Sequence, residues 1–422
     1  MSYIPKGSPT VGGGLPGFPE RVAAGGAAAH EIGDVHISAD AIDDTWIPAN
    51  GGVYAQADFP DLFSAINENR PFDMGVSLIK ESDPATIPGS QGKGVVFTKD
   101  GAMLIHVEGS TPFVSVYAIS GDTFTRGSDL ADLPDGFVNN VGVSDDSQYM
   151  AVCLNPSPFI NIYKRDGVTF EKLSDPATLP TGQVFEAKFS HNGDYLVLAH
   201  STTPFITIYK RDGDTFTKLA NPATLPTGEA HGLSWTGDDR YLAVGHDTTP
   251  FVTIYKRSGD TFTKLANPAT LPSGAGRGTA FSPSGNHLIV CHATGAQITL
   301  YKRDVDVFTK LTTGNPAITG LSESAVFSAN GRYFSVCHSS TPFMESWGIF
   351  GDTFTNLPDP ATLPTSGDRI DVSPDGRFVA TASVATPYLH IYKSGENYDS
   401  ATEFRVPFVP TNATGIARIK AT

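Results

Sequence analysis

The chain has 422 residues, with 29 Lys and Arg against 44 Asp and Glu, a formal net charge of −15. Such acidity argues against a nucleic-acid surface, which needs clustered Lys and Arg. No apolar run reaches 18 residues, so no membrane insertion is expected.

Residues 1–28 are rich in Gly, Pro and Ala, with "GGG" and "AAGGAAA". That composition supplies no core and predicts a flexible arm. The first residues hold no apolar stretch of signal-peptide length. The chain is therefore expected to be made and kept in a cytosol, unless lysis releases it.

Residues 29–75 read differently. A strand-like start over Ile32 to Ile37 leads to Trp46-Ile47-Pro48 and the turn Asn50-Gly51-Gly52. A short amphipathic helix is predicted from about Pro60 to Ile66, with Leu62, Phe63 and Ile66 on its apolar face and Asp58 or Pro60 at its start. Gly33-Asp34-Val35, Trp46-Ile47-Pro48, Asn50-Gly51, Tyr54 and Phe59-Pro60-Asp61-Leu62-Phe63 together resemble the phage tail-collar type of domain. Phe59 in place of Tyr and Asn50 in place of Asp are the departures. The resemblance covers fewer than 40 residues. It implies a small α+β module on a virion tail, assembling as a homo-trimer, with Trp46, Tyr54, Phe59, Leu62 and Phe63 as assembly contacts.

From Val76 to Lys393 one motif recurs seven times, and the span 76–422 is read as a single repeat domain. Its anchor falls at Pro112, Pro158, Pro204, Pro250, Ala296, Pro342 and Pro387, in steps of 46 residues and a last step of 45. Within one unit, "AHGLSWT", "RYLAVGH", "FVTIYKR" and "TFTKL" are apolar or alternating runs separated by Gly, Asp and Pro. In the third run Val252, Ile254 and Lys256 share one face. Period-2 alternation with this punctuation predicts four antiparallel strands. Seven such units make an all-β, seven-bladed β-propeller of four-stranded antiparallel blades, which leaves only short, protected edges.

The turns "FSHNGDYL", "FSPSGNHL", "FSANGRYF" and "VSPDGRFV" resemble those of WD-repeat-like propellers, although Ile208-Tyr209-Lys210 stands where a Trp-Asp pair would be. The resemblance covers about residues 76–393 and speaks for fold, hardly for function. Ahead of the first full unit, Ser77 to Pro88 lies in register with a fourth strand and its loop, Leu78 matching Phe124, Phe170 and Phe216. That lone strand is expected to close the ring. The alternative is the C-terminal "ATEFRVPFVP".

Repeated residues are expected to serve the blade. Cys153, Cys291 and Cys337 share one second-strand slot and read as small buried fillers, too far apart for disulfides. His200, His246, His292 and His338 also share a slot. Neighbouring blades about 10 Å apart would not bring two imidazoles to one metal, so bonds to the nearby "TTP" loop are expected. The "PATLP" and "TTP" loops should share an uncharged face suited at most to a glycan, with the "KRDGDTF" hairpins as solvated turns on the other. Asp145-Asp146 and Asp238-Asp239 read as turn residues rather than a calcium site. No nucleophile elbow, zinc-protease motif or phosphate loop occurs. Accordingly no enzyme, cofactor or metal site is expected.

Candidate partner contacts lie where the repeat breaks: Gly295-Ala296-Gln297, Asn315, Trp347, and Asn139-Asn140. The composite expectation is a structural or adhesive tail protein located in the virion. Its partners would be other tail proteins and a host-surface glycan or protein. The alternatives are an intracellular interaction scaffold or, requiring acidic or metal-ligand side chains in the central channel, a propeller hydrolase.

Overall fold

The computed structural model describes residues 78–394, apart from 296, 313–315, 317, 330 and 332, together with five short strands outside that span. The chain divides into two units, Ser77–Gly395 and a second made of Met1–Val76 with Glu396–Thr422.

The larger unit is the seven-bladed propeller. Blade one comprises Gly92–Phe97, Met103–Glu108, Val114–Ser120 and Thr123–Arg126, each paired antiparallel to the next. Blades two to six repeat this order through Thr353–Asn356. Among the described residues there is no helix.

The strand types follow from burial. Second strands such as Tyr195–His200 are buried at every position, which is why they read as continuous apolar runs. Fourth strands such as Thr215–Lys218 bury one residue, Phe216. Between the first two strands, Ser190 Oγ accepts from the Tyr195 amide (3.0 Å) while Gly193, at φ 73°, turns the chain. This is the physical content of the recurring "FS..G" signature.

Blades adhere through apolar faces. Val197, Ala199 and Ile206 of blade three pack against Leu233, Leu242 and Phe262 of blade four. Phe262 stands edge-on to Tyr195 at 5.9 Å and to Trp235 at 5.8 Å. Burying such a ring contributes about 1.5 to 3 kcal/mol, and Phe216, Phe308 and Phe354 stand edge-on to Tyr149, Tyr241 and His287 in the same way.

Blade seven has only three strands of its own: Arg369–Val372, Phe378–Ala382 and Leu389–Ser394. Leu78–Lys80 supplies the fourth, pairing Lys80 with Tyr392, Ile79 with Lys393 and Leu78 with Ser394. The closing strand is thus N-terminal, as its register implies. The C-terminal alternative instead contributes Glu403–Arg405, paired with Val53–Ala55 in the smaller unit.

In that unit Ile416–Lys420 lies between Val35–Ser38 and Trp46–Pro48, completing a three-stranded sheet. The expected propeller span of 76–422 therefore ends near Gly395, and the chain's last segment pairs with the N-terminal module. Trp46 and Tyr54 occupy strands there. Phe59, Leu62, Phe63, the helix predicted from Pro60 and the arm 1–28 lie outside the described residues.

Candidate functional site

The repeated residues act mainly on the scaffold. His200, His246 and His292 are fully buried and each Nε2 lies 3.0 Å from a third-strand hydroxyl, of Thr207, Thr253 and Thr299. The main partner is thus the neighbouring strand rather than the loop, although His292 Nδ1 also meets the Thr294 carbonyl at 2.7 Å. In blade six Glu345 replaces the threonine and His338 Nε2 faces it at 3.5 Å. Burial lowers the pKa of all four histidines, His200 and His246 to about 4. Cys153, Cys291 and Cys337 are buried free thiols, their pKa values raised by burial.

The hairpin tips do more than face water. Lys164, Lys210, Lys256 and Lys302 each reach the tip carboxylate of the following blade: Asp214 (2.9 Å), Asp260 (2.8 Å), Asp306 (2.7 Å) and Asp352 (2.6 Å). Tyr149, Tyr195 and Tyr241 donate to the first three of these. Lys393 to Asp122 carries the pattern across the ring closure at 2.7 Å. These bonds hold the aspartates below the usual carboxylate range. Sequence reading treated each hairpin alone and missed the tie to the next blade.

The turn carboxylates are similarly occupied. Asp146 accepts from Ser144 and Arg211, Asp238 from Thr236, and Asp239 from the amides of His191 and Asn192. Asp145 pairs with His191 at 2.8 Å. The "PATLP" loops are anchored by buried tyrosines: Tyr209 donates to the Thr178 carbonyl at 2.7 Å and Tyr255 to that of Thr224 at 2.8 Å. They share a face with the "TTP" loops, since Thr248 Oγ1 donates to Thr227 Oγ1 at 2.8 Å.

On that face one position escapes repetition. In blades one to six the first strand slips register at one residue: Lys93, Asn139, Phe185, His231, Arg277 and Glu323. A bulge leaves its extra residue out of the ladder and re-aims its side chain. Asp368 takes the corresponding place in blade seven, where no bulge forms. No two of these seven residues are alike, and neighbours touch around the rim. Asn139 Nδ2 donates to the Val184 carbonyl (2.8 Å), Phe185 lies over His231 (4.5 Å between centroids), and Arg277 Nη1 meets His231 Nε2 at 3.2 Å. Arg369 Nη1 approaches Asp368 at 3.6 Å and Glu323 at 3.9 Å.

One residue further along, Asn140, Glu186 and Arg369 stand where other blades carry Gly94, Gly232, Gly278 and Ser324. All three line a cavity of about 420 Å³, with Lys188, Glu323 and Asp371. Burial pushes the Glu186 carboxyl up to about 7, against the pull of Lys188 and Arg369, and also raises Glu323. Burial alone would lower Arg369, yet Asp368, Glu323 and Glu186 hold its pKa above the ordinary value. The channel therefore carries acidic side chains that reading by repeat position overlooked, because no repeat position supplies them.

Among the predicted contact residues, Asn139 and Asn140 belong to this rim and channel. Gln297 sits at φ 65°, in the backbone conformation that Phe251 adopts in blade four, and its Nε2 donates to the Gly295 carbonyl at 3.1 Å. Trp347 replaces a buried tyrosine and packs beside Phe334 and Phe354. Ala296 and Asn315 lie outside the described residues. Among the described residues, the one group of His, Cys, Asp and Glu at metal-ligand spacing is Glu229, His231 and Asp247.

No family model and no curated protein matches this chain. Among solved structures, it is similar to a chain of the "Crystal Structure of Mitotic Checkpoint Complex", with a TM-score of 0.57 and 17% identity over 78% of this chain and 94% of that one. At that identity the likeness speaks for the propeller fold alone.

Proposed function

We propose that this protein is a non-enzymatic binding component of a bacteriophage tail. The propeller meets a host-surface glycan or protein, or another virion protein, and the N-terminal module provides attachment and trimeric self-association. The observation that carries the binding role is the rim: nearly identical blades present Lys93, Asn139, Phe185, His231, Arg277, Glu323 and Asp368 at equivalent places. Blade architecture asks for no such variety, whereas recognition of one asymmetric partner does. Channel carboxylates countered by Arg369 suit recognition by charge. The virion role rests on the tail-collar resemblance between Gly33 and Phe63.

Mass spectrometry of purified particles tests the virion role, and absence of the chain from them would sink it. Binding of the purified protein to host cells tests the rim. Phe185→Ala and Arg277→Ala should each weaken it about tenfold while the propeller stays folded, and unchanged binding would remove the rim from the reading.

An intracellular interaction scaffold is the second reading, with which the propeller fold and its varied rim are equally compatible. Light scattering separates the two: a monomer whose first 70 residues are dispensable favours the scaffold.

A further inference from the structure

One contact on the rim brings His231, Asp247 and Arg277 together. His231 Nε2 lies 3.0 Å from Asp247 Oδ1 and 3.2 Å from Arg277 Nη1. An imidazole nitrogen bears either a hydrogen or a lone pair. If Nε2 bears the hydrogen and donates to Asp247, it has no lone pair left for the Arg277 donor. If it accepts from Arg277, its single lone pair is spent there, and Asp247 Oδ1, 3.0 Å away, receives no hydrogen from the ring. Asp247 Oδ1 is also 3.6 Å from Arg277 Nη1, an ion pair without hydrogen-bond geometry, and Arg277 Nε lacks a hydrogen bond. Such groups are costly to leave unsatisfied.

We propose that Glu229, His231 and Asp247 form a divalent transition-metal site, best suited to Zn²⁺. Their ligand atoms all lie within 4.8 Å of one another. Tetrahedral zinc, with bonds of about 2.0 to 2.2 Å, spaces its ligands about 3.3 to 3.5 Å apart, so each need move little. One imidazole and two carboxylates neutralise the ion and leave a fourth position for water or a partner's donor. A cation there would take the His231 Nε2 lone pair in place of Arg277 and give Asp247 Oδ1 a partner.

The three residues are peculiar to blade four. The Asp247 amide bonds the Glu229 carbonyl, and the same bond joins Gly109 to Gln91, Asn155 to Phe137, Ser201 to Gln183, Ala293 to Ala275 and Ser339 to Leu321. In those five blades the equivalents of Glu229 and Asp247 are neutral, and the bulge residue is never a histidine. The backbone contact therefore does not require acid here. Arg277 is the competitor for this site, and Glu323, whose carboxyl it already influences, offers it another partner.

The site goes beyond the proposed function and does not depend on it. The test is calorimetric titration of Zn²⁺ into the chelator-treated full-length protein, with Co²⁺ absorption reporting ligand geometry. One zinc should bind per chain. Asp247→Asn and His231→Ala should each weaken binding at least tenfold with an unchanged circular dichroism spectrum, and Arg277→Gln should tighten it. Asp247→Asn keeps the side-chain shape and decides the matter if His231→Ala does not fold. Absence of saturable one-to-one binding, equal affinity in the Asp247→Asn protein, or weaker binding in Arg277→Gln would overturn the site.

Discussion

The closing strand offers the sharpest test of how the ring is held. Leu78 and Ile79 are adjacent in the strand that completes blade seven, yet Leu78 is 7% exposed and Ile79 is 43% exposed. Truncating Leu78 to Ala removes a buried side chain whose burial is worth about 1.5 to 3 kcal/mol, while an exposed change usually stays within about 0.5 kcal/mol. Removing the strand also breaks its pairing with Tyr392, Lys393 and Ser394 and the bond from the Glu81 amide to the Ile391 carbonyl, 2.8 Å. With about three such bonds at about 0.5 to 1.5 kcal/mol each, added to the burial of Leu78, the whole strand contributes roughly 3 to 7.5 kcal/mol. That is a large share of the about 5 to 15 kcal/mol typical of a folded domain. Urea denaturation followed by tryptophan fluorescence should show a lower midpoint for Leu78→Ala and almost no change for Ile79→Ala. A 77–395 fragment should be markedly more stable than 84–395, whose exposed third strand invites aggregation. Equal stability of the two fragments, or an Ile79 effect as large as that of Leu78, would refute the account.

Three further outcomes are expected. Thr253→Val keeps the shape of the side chain but strips His246 Nε2 of its partner at 3.0 Å, and should cost about 1 to 3 kcal/mol in chemical denaturation, while Thr253→Ser should cost clearly less. Burial lowers His106, His200, His246 and His390 from 6.5 to about 4, so between these values the unfolded chain binds protons that the native one does not. Stability from these groups is therefore complete above about pH 6.5, falls as pH drops toward 4 and levels off below it, by up to about 3 kcal/mol per histidine. A flat denaturation midpoint from pH 7 to 4.5 would contradict this. Lastly, the three buried thiols should resist a disulfide-exchange reagent in the native protein and react fully in denaturant, whereas rapid labelling of the native state would place at least one at the surface.

The 46-residue period, the alternation within "FVTIYKR" and the in-register strand at Leu78 determine seven four-stranded blades and their closure from sequence alone. Each is a local pattern copied many times, so one misread residue changes nothing. What only the tertiary structure decided involves residues whose partners sit a blade away. Lys210 and Asp260 are 50 positions apart yet 2.8 Å from one another, because 46 residues return the chain to the same place in the next blade. Pairing of Ile416–Lys420 with the N-terminal strands joins chain ends that carry no shared motif. The rim and channel were least legible. His231, Arg277, Glu186 and Glu323 obey no repeat; His231, Arg277 and Glu323 are bulge residues at the rim, and Glu186, next to the bulge at Phe185, lines the channel. Periodicity reveals what the scaffold demands of every blade. The rim residues follow no such demand, and only closing the ring brings them together.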